Sequence, residues 1–124
     1  MLNHLRERVT QMLSETTTAL LSTHGEAGLQ AGTFPCEADG LCLYLLVPRT
    51  SDHLFNLEHG SEVVITTDDS QLRGTACVVS DCPAGLDLRQ RPDAAWCEVV
   101  RVDPSRLQIE KAGESATAET IDMD

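Results

Sequence analysis

The chain alternates between amphipathic and uniformly apolar stretches, and the period of each predicts an element. Residues 2 to 15 carry Leu2, Leu5, Val9, Met12 and Leu13 at spacings of three and four, with Arg6, Glu7, Arg8 and Gln11 between them. That spacing puts one apolar stripe on an N-terminal helix. Thr16 to Thr23 is rich in β-branched and apolar residues and ends in His24-Gly25-Glu26-Ala27-Gly28, a glycine-bearing hairpin loop. The next strand, Leu29 to about Cys36, contains Gly32, a residue that inside a strand marks a bulge, a sharp bend or a close approach. After the turn Ala38-Asp39-Gly40, Leu41 to Val47 is wholly apolar, as a strand buried on both faces must be.

Pro48 cannot extend a sheet ladder and Arg49 is the first charge, so this strand stops there. A short helix follows. Thr50 or Ser51 serves as its N-cap, Leu54 and Leu57 share one face, and Gly60 suits the left-handed position past its end. Glu62 to Thr67 and Gln71 to Val79 read as a hairpin turning at Asp68-Asp69-Ser70, with Gly74 inside the second strand. Ser80 to Asp93 is loop-like, with one helical turn around Leu86 to Gln90. Ala95 to Val102 is a further strand, Asp103-Pro104-Ser105 a turn, and Arg106 to Glu110 a last short strand. The acidic, small-residue tail from Ala112 to Asp124 reads as mobile or draped over the surface.

Strands joined by turns rather than helices specify an antiparallel sheet, and six or seven of them in one 124-residue domain curl into a small barrel. The fold class is thus mostly β with flanking helices. A strand buried on both faces needs more cover than one small barrel provides, which predicts a homodimer.

Composition narrows the function. A formal charge of −11 argues against nucleic-acid partners, because clustered Lys and Arg are absent. No apolar run approaches the length of a membrane span, and five cysteines without a Cys-x-x-Cys pair point to reduced thiols in the cytoplasm. Cys36, Cys42, Cys77 and Cys97 fall in strand-like segments and read as small buried hydrophobes, leaving Cys82 as the thiol a reagent should meet first. His4, His24, His53 and His59 form no metal-ligand pair with each other or with cysteine, so no metal is expected. No Gly-x-Ser-x-Gly elbow and no glycine-rich phosphate loop is present, and no residue stands out as a catalytic acid or base. One corner does carry chemistry. The free N–H groups at the start of the second helix, beside Arg49, Thr50 and Ser51, can seat a phosphate or carboxylate, although any helix needs a cap.

In order and spacing, the hairpin ALLSTHGEAGLQAGTFP, the passage LYLLVPRTSDHLFNLEHG, the pair SEVVITTDD and QLRGTACVV, and the strand AWCEVVRVDPSRLQIEK resemble the pyridoxamine 5′-phosphate oxidase-like split-barrel superfamily. The resemblance covers about Thr17 to Met123. It implies a dimeric antiparallel split β-barrel holding flavin mononucleotide (FMN) between subunits and acting as an oxidoreductase on a small molecule. The phosphate would lie near Arg49, Thr50, Ser51 and His53, and the flavin ring along Ala31 to Phe34, against Gly32 and Thr33. Flavin-binding relatives commonly start this helix with Ser-Arg-Lys, where this chain has Ser51-Asp52-His53. Arg49 and Arg73 are left to compensate, with His53 when protonated. A second class therefore stays open: a dimeric binding module without turnover, for haem, a deazaflavin or a protein partner.

Overall fold

The computed structural model describes residues 3–59, 62–68, 70–110 and 118–122, with side chains placed for 6–58, 62–68 and 70–108. Helix α1 (Asn3–Ser14) is followed by β1 (Thr18–Thr23), β2 (Gln30–Asp39), β3 (Cys42–Pro48), α2 (Asp52–His59), β4 (Glu62–Thr66), β5 (Ser70–Val79), two short 3-10 helices (Leu88–Gln90 and Pro92–Trp96), β6 (Cys97–Glu110) and β7 (Ala118–Asp122). The sheet runs β3-β2-β1-β4-β5-β6-β7, antiparallel throughout, and a β3–β6 pairing closes the first six strands into a barrel.

Alternation along the strands decides the interior. Leu21, Leu43, Leu45, Val47, Ile65, Leu72, Val100, Val102 and Leu107 point inward and are fully buried, with Val9 and Leu13 of α1 entering the same cluster. Each such side chain contributes roughly 1.5–3 kcal/mol of burial. The opposite face of β3, at Tyr44 and Leu46, lies in a second cluster with Val99 and Cys97 of β6 and with Leu88 and Ala94 of the 3-10 helices. The cover that the two-sided apolar strand demands thus comes from the chain's own 80–96 segment. This removes the packing argument for a partner at that strand.

Strand β6 corrects the sequence reading in three ways. It is one strand rather than two, because Asp103-Pro104-Ser105 is absorbed as a bulge: Arg73 faces Arg106 and Gly74 faces Pro104, leaving Ser105 unopposed. Gly74 makes this possible, since a Cβ there would run into the Asp103 carbonyl oxygen and stand 2.9 Å from Pro104 Cα. The strand also starts at Cys97, because Pro92 starts a 3-10 helix that carries through Ala95 and Trp96. Part of the acidic tail is ordered as well, 118–122 adding to the sheet as β7 against Arg106–Glu110. The rest of that tail lies outside the described residues, as do Leu2, Gly60 and Asp69.

The barrel is split where β3 fails to follow its neighbours. Strand β2 pairs with β1 along Gln30–Pro35 but with β3 only from Cys36 to Asp39. Strand β3 meanwhile pairs with β6 from Leu43 to Pro48. Among the described residues, the 30–35 half of β2 therefore presents a backbone edge with no strand beside it, and α2 begins four residues after β3 ends, close to that edge.

Candidate functional site

Helix α2 is placed by hydrogen bonds more than by its apolar face. Leu54 and Leu57 are half-buried against the core, whereas the buried residues among 52–58 of this helix are His53 and Asn56. Asn56, 1% exposed, spends its amide completely: Oδ1 accepts from the Ala27 N–H at 3.0 Å, and Nδ2 donates to the Gly28 carbonyl at 3.0 Å and to Thr23 Oγ1 at 3.1 Å. It staples α2 to the β1–β2 loop. Gly25 is needed there, because a Cβ would lie 2.8 Å from Asn56 Oδ1 and 3.3 Å from its Cα.

His53 stands one turn earlier, its Nδ1 2.8 Å from Thr23 Oγ1. That hydroxyl already accepts from Asn56, so the network assigns its single hydrogen to Nδ1 and the ring proton to Nε2. Burial lowers the His53 pKa, outweighing the opposite pull of Asp52, and the imidazole is neutral near pH 7. The ring meets Phe34 edge-on, with centroids 5.3 Å apart and planes at 88°. Both reach Gly32, where a Cβ would be 3.2 Å from Phe34 Cζ and 3.4 Å from His53 Nε2. Gly32 therefore has a reason inside the barrel: it leaves room for Phe34 and His53. Thr33, on the outer face, is exposed.

At the start of α2, Ser51 acts as cap, its Oγ accepting from the His53 N–H at 3.2 Å, while Thr50 is exposed in the preceding turn. Arg49 Nε donates to Glu98 Oε1 at 3.2 Å on the surface, and the Arg49 N–H bonds the Trp96 carbonyl at 3.0 Å. Asp52 adds a carboxylate to the first turn. Arg49, Thr50, Ser51 and His53 thus follow one another into the start of α2, where His53 reaches Gly32 and the Arg49 side chain turns to Glu98 on β6. Arg73 takes no part in this corner. It lies on the outer face of β5, opposite Val64 and Arg106.

Sequence reasoning missed Thr23 and Asn56. The one available signal was that Asn56 follows His53 by three residues and so shares its helical face, which marks a polar contact directed inward.

Among the described residues no group of three His, Cys, Asp or Glu is arranged to hold a metal ion, and no helix is long and apolar enough to cross a membrane. All five cysteines are free. Cys36 and Cys97 are buried, Cys42 and Cys82 are half-buried, and Cys77 is exposed, which corrects its expected place among the buried ones.

No family model matches the sequence, and no curated protein matches it. Solved structures do match its shape. A protein related to general stress protein 26, of the pyridoxinephosphate oxidase family, from Clostridium acetobutylicum superposes with a TM-score of 0.73 at 13% identity, over 100% of this chain and 98% of that one. General stress protein 26 from Bacillus anthracis gives 0.70 at 17% identity, over 97% and 99%. ChuZ from Campylobacter jejuni gives 0.69 at 10% identity, over 99% of this chain and 61% of that one. The chain has the split-barrel fold of the pyridoxamine 5′-phosphate oxidase-like proteins, as its motifs led one to expect.

Proposed function

With that shared split-barrel fold as premise, we propose that this protein is a homodimeric flavin-binding split barrel that holds the planar ring at the split beside Gln30–Pro35. The observation that carries the reading is the unpaired edge of β2. A strand edge offers N–H donors and C=O acceptors in alternation, which suits the polar rim of a heteroaromatic ring. Ala31 and Thr33 supply an exposed, uncharged surface beside it. When bound, a flavin supplies hydride chemistry, and the chain's part is to bind and orient it. The substrate is a small molecule that reaches the exposed side of β2, and the free thiols fit a reducing, cytoplasmic setting.

The fit to FMN is uneven. The ring fits the open edge, but the α2 corner does not suit a doubly charged phosphate. Ser51 Oγ is used by the His53 N–H, Arg49 is paired with Glu98, Asp52 brings a negative charge, and the neutral His53 adds no cation. This balance favours a second reading, a binding module without turnover. Haem is poorly served by His53, since Nδ1 is committed to Thr23 and Nε2 faces Phe34 and Gly32.

The test is visible absorption after incubating the protein with riboflavin or with FMN and passing it through a desalting column. The expected result is a retained flavin band that Thr33→Trp, filling the surface beside the split, abolishes. A colourless protein with both flavins overturns the reading. Light scattering on the same eluate reads the oligomeric state.

A further inference from the structure

The outer face of the barrel carries a second, separate arrangement. Register runs Ala31, Ser22, Val64, Arg73 and Arg106 as one row across β2, β1, β4, β5 and β6, with Thr33, Leu20, Thr66, Gln71 and Gln108 as the next. Arg73 and Arg106 therefore stand side by side, both exposed, and Gln71 and Gln108 stand side by side next to them. With Val64 these four side chains line a depression of about 260 Å³.

Among the described arginines outside α1, the charges set this patch apart. Arg49, Arg89, Arg91 and Arg101 each have a carboxylate oxygen at 3.0–3.4 Å. Among the described residues neither Arg73 nor Arg106 has one, in a chain with 20 acidic residues. Like charges directly opposite one another on neighbouring strands destabilise a sheet. Glu62 of β4 lines the adjoining depression that Arg73 also borders, and Asp122 of β7 is the register partner of Arg106, so the two acidic positions flank the β5–β6 pair on its outer sides.

The geometry points to an anion site here, for the dianionic phosphate of a phosphomonoester. Two planar guanidinium forks match phosphate oxygens bidentately, the paired glutamine amides add donors, and the bound charge removes the repulsion. The depression is smaller than a typical cofactor pocket, so it takes the phosphate rather than a whole ligand. From the β2 edge to β5 the path crosses three strand spacings of roughly 4.8 Å, so this site is distinct from the ring site within one chain. Inorganic phosphate and the phosphate end of a larger ligand share this chemistry.

The experiment is isothermal titration at low salt with inorganic phosphate, FMN and riboflavin, on the wild-type chain, Arg73→Gln, Arg106→Gln and the double variant. Phosphate binding that weakens tenfold or more in each single variant supports the site. FMN binding tighter than both phosphate and riboflavin, with the advantage lost in the variants, identifies the phosphate as the end of a larger ligand; equal binding of FMN and phosphate identifies the free anion. These exposed substitutions leave the core untouched, and melting without anion at or above the wild-type temperature confirms that each variant folds. The site is overturned if phosphate binds no variant differently from wild type, or does not bind wild type at all. Riboflavin is the independent arm: its failure to bind counts against the flavin reading and leaves the anion site standing.

Discussion

Thr23 and His53, thirty residues apart in sequence, share a hydrogen bond of 2.8 Å inside the protein, and Asn56 donates to the same hydroxyl at 3.1 Å. Thr23 Oγ1, His53 Nδ1 and the Asn56 amide are satisfied together only with Nδ1 unprotonated. Protonating Nδ1 would turn the hydroxyl into an acceptor of two bonds and leave its own hydrogen without a partner. Burial, the largest cause of the lowered pKa, acts in the same direction.

That pairing makes stability depend on pH in a defined window. The folded-state pKa lies below the ordinary His value of about 6.5, so the unfolded chain takes up the proton first. The stabilisation is complete above about 6.5 and is lost as pH falls through the folded-state pKa. One proton contributes at most about 1.4 kcal/mol per pH unit. Urea unfolding between pH 7.5 and 5 should show this slope in the wild-type chain and a shallower one in His53→Gln. Equal slopes in the two proteins would remove His53 as the source.

Asn56→Ala should be among the costlier single changes on α2. It leaves the Ala27 N–H and the Gly28 carbonyl without partners and deprives Thr23 of a donor. With about 1–3 kcal/mol for a buried group left unsatisfied, a loss of about 2–3 kcal/mol is expected from chemical denaturation. A second readout is local: proteolysis within residues 24–29 should speed up more than global unfolding does, because the staple holds that loop.

How much of this was legible beforehand follows from the range of each interaction. The two-sided burial of β3 was written in consecutive residues, and so were the caps and turns around Gly40 and Ser51. Asp103-Pro104-Ser105 read as a turn because its residue types are turn formers, yet only the opposing strand, with Gly74 at the matching register, determines that it becomes a bulge. Cys77 looked like its buried neighbours because its outward direction is set by pairing with Arg101. At the site, Arg49, Thr50 and Ser51 could be read from the helix start. The Thr23–His53–Asn56 network could not, because sequence period says nothing about which distant hydroxyl a buried polar residue will meet.

The two strand glycines should respond differently to the same substitution. Gly74→Ala drives a methyl into the backbone of Asp103 and Pro104, which cannot rotate away, and should cost about 3 kcal/mol or prevent folding. Gly32→Ala meets the ends of two side chains, Phe34 and His53, at 3.2 and 3.4 Å, and should cost about 1 kcal/mol. Thermal melts of the two variants test this order. A Gly32→Ala protein less stable than Gly74→Ala would mean that Phe34 and His53 are held more rigidly than the β6 backbone.

Thiol labelling should begin at Cys77, the exposed cysteine. Burial, with Glu37 adding to it, pushes the Cys36 thiol up to about 12, and burial raises Cys42, Cys82 and Cys97 as well. Thiolate is the reactive form, so these four should lag at pH 8. Peptide mapping after a short pulse of iodoacetamide decides the order, and modification of Cys82 before Cys77 would contradict the described surface.

Trp96, the sole tryptophan, reports on whether a second subunit covers the surface around it. It is 74% exposed at the end of the second 3-10 helix, where its carbonyl holds the Arg49 N–H, and exposed Leu29, at 79%, is another apolar side chain left in water. An isolated chain should therefore emit at long wavelength and be quenched readily by acrylamide, with little further red shift on unfolding. Interfaces favour tryptophan at their centre, because its large ring gains most from desolvation. If the homodimer covers this surface, emission should shift to the blue and quenching should fall as protein concentration rises, in step with the mass from light scattering. Trp96→Ala should then weaken association while leaving the melting temperature of the monomer nearly unchanged, since the indole contributes little to the core. A dimer whose Trp96 stays fully quenchable would place the interface elsewhere, with the outer face around Leu29 the next surface to vary.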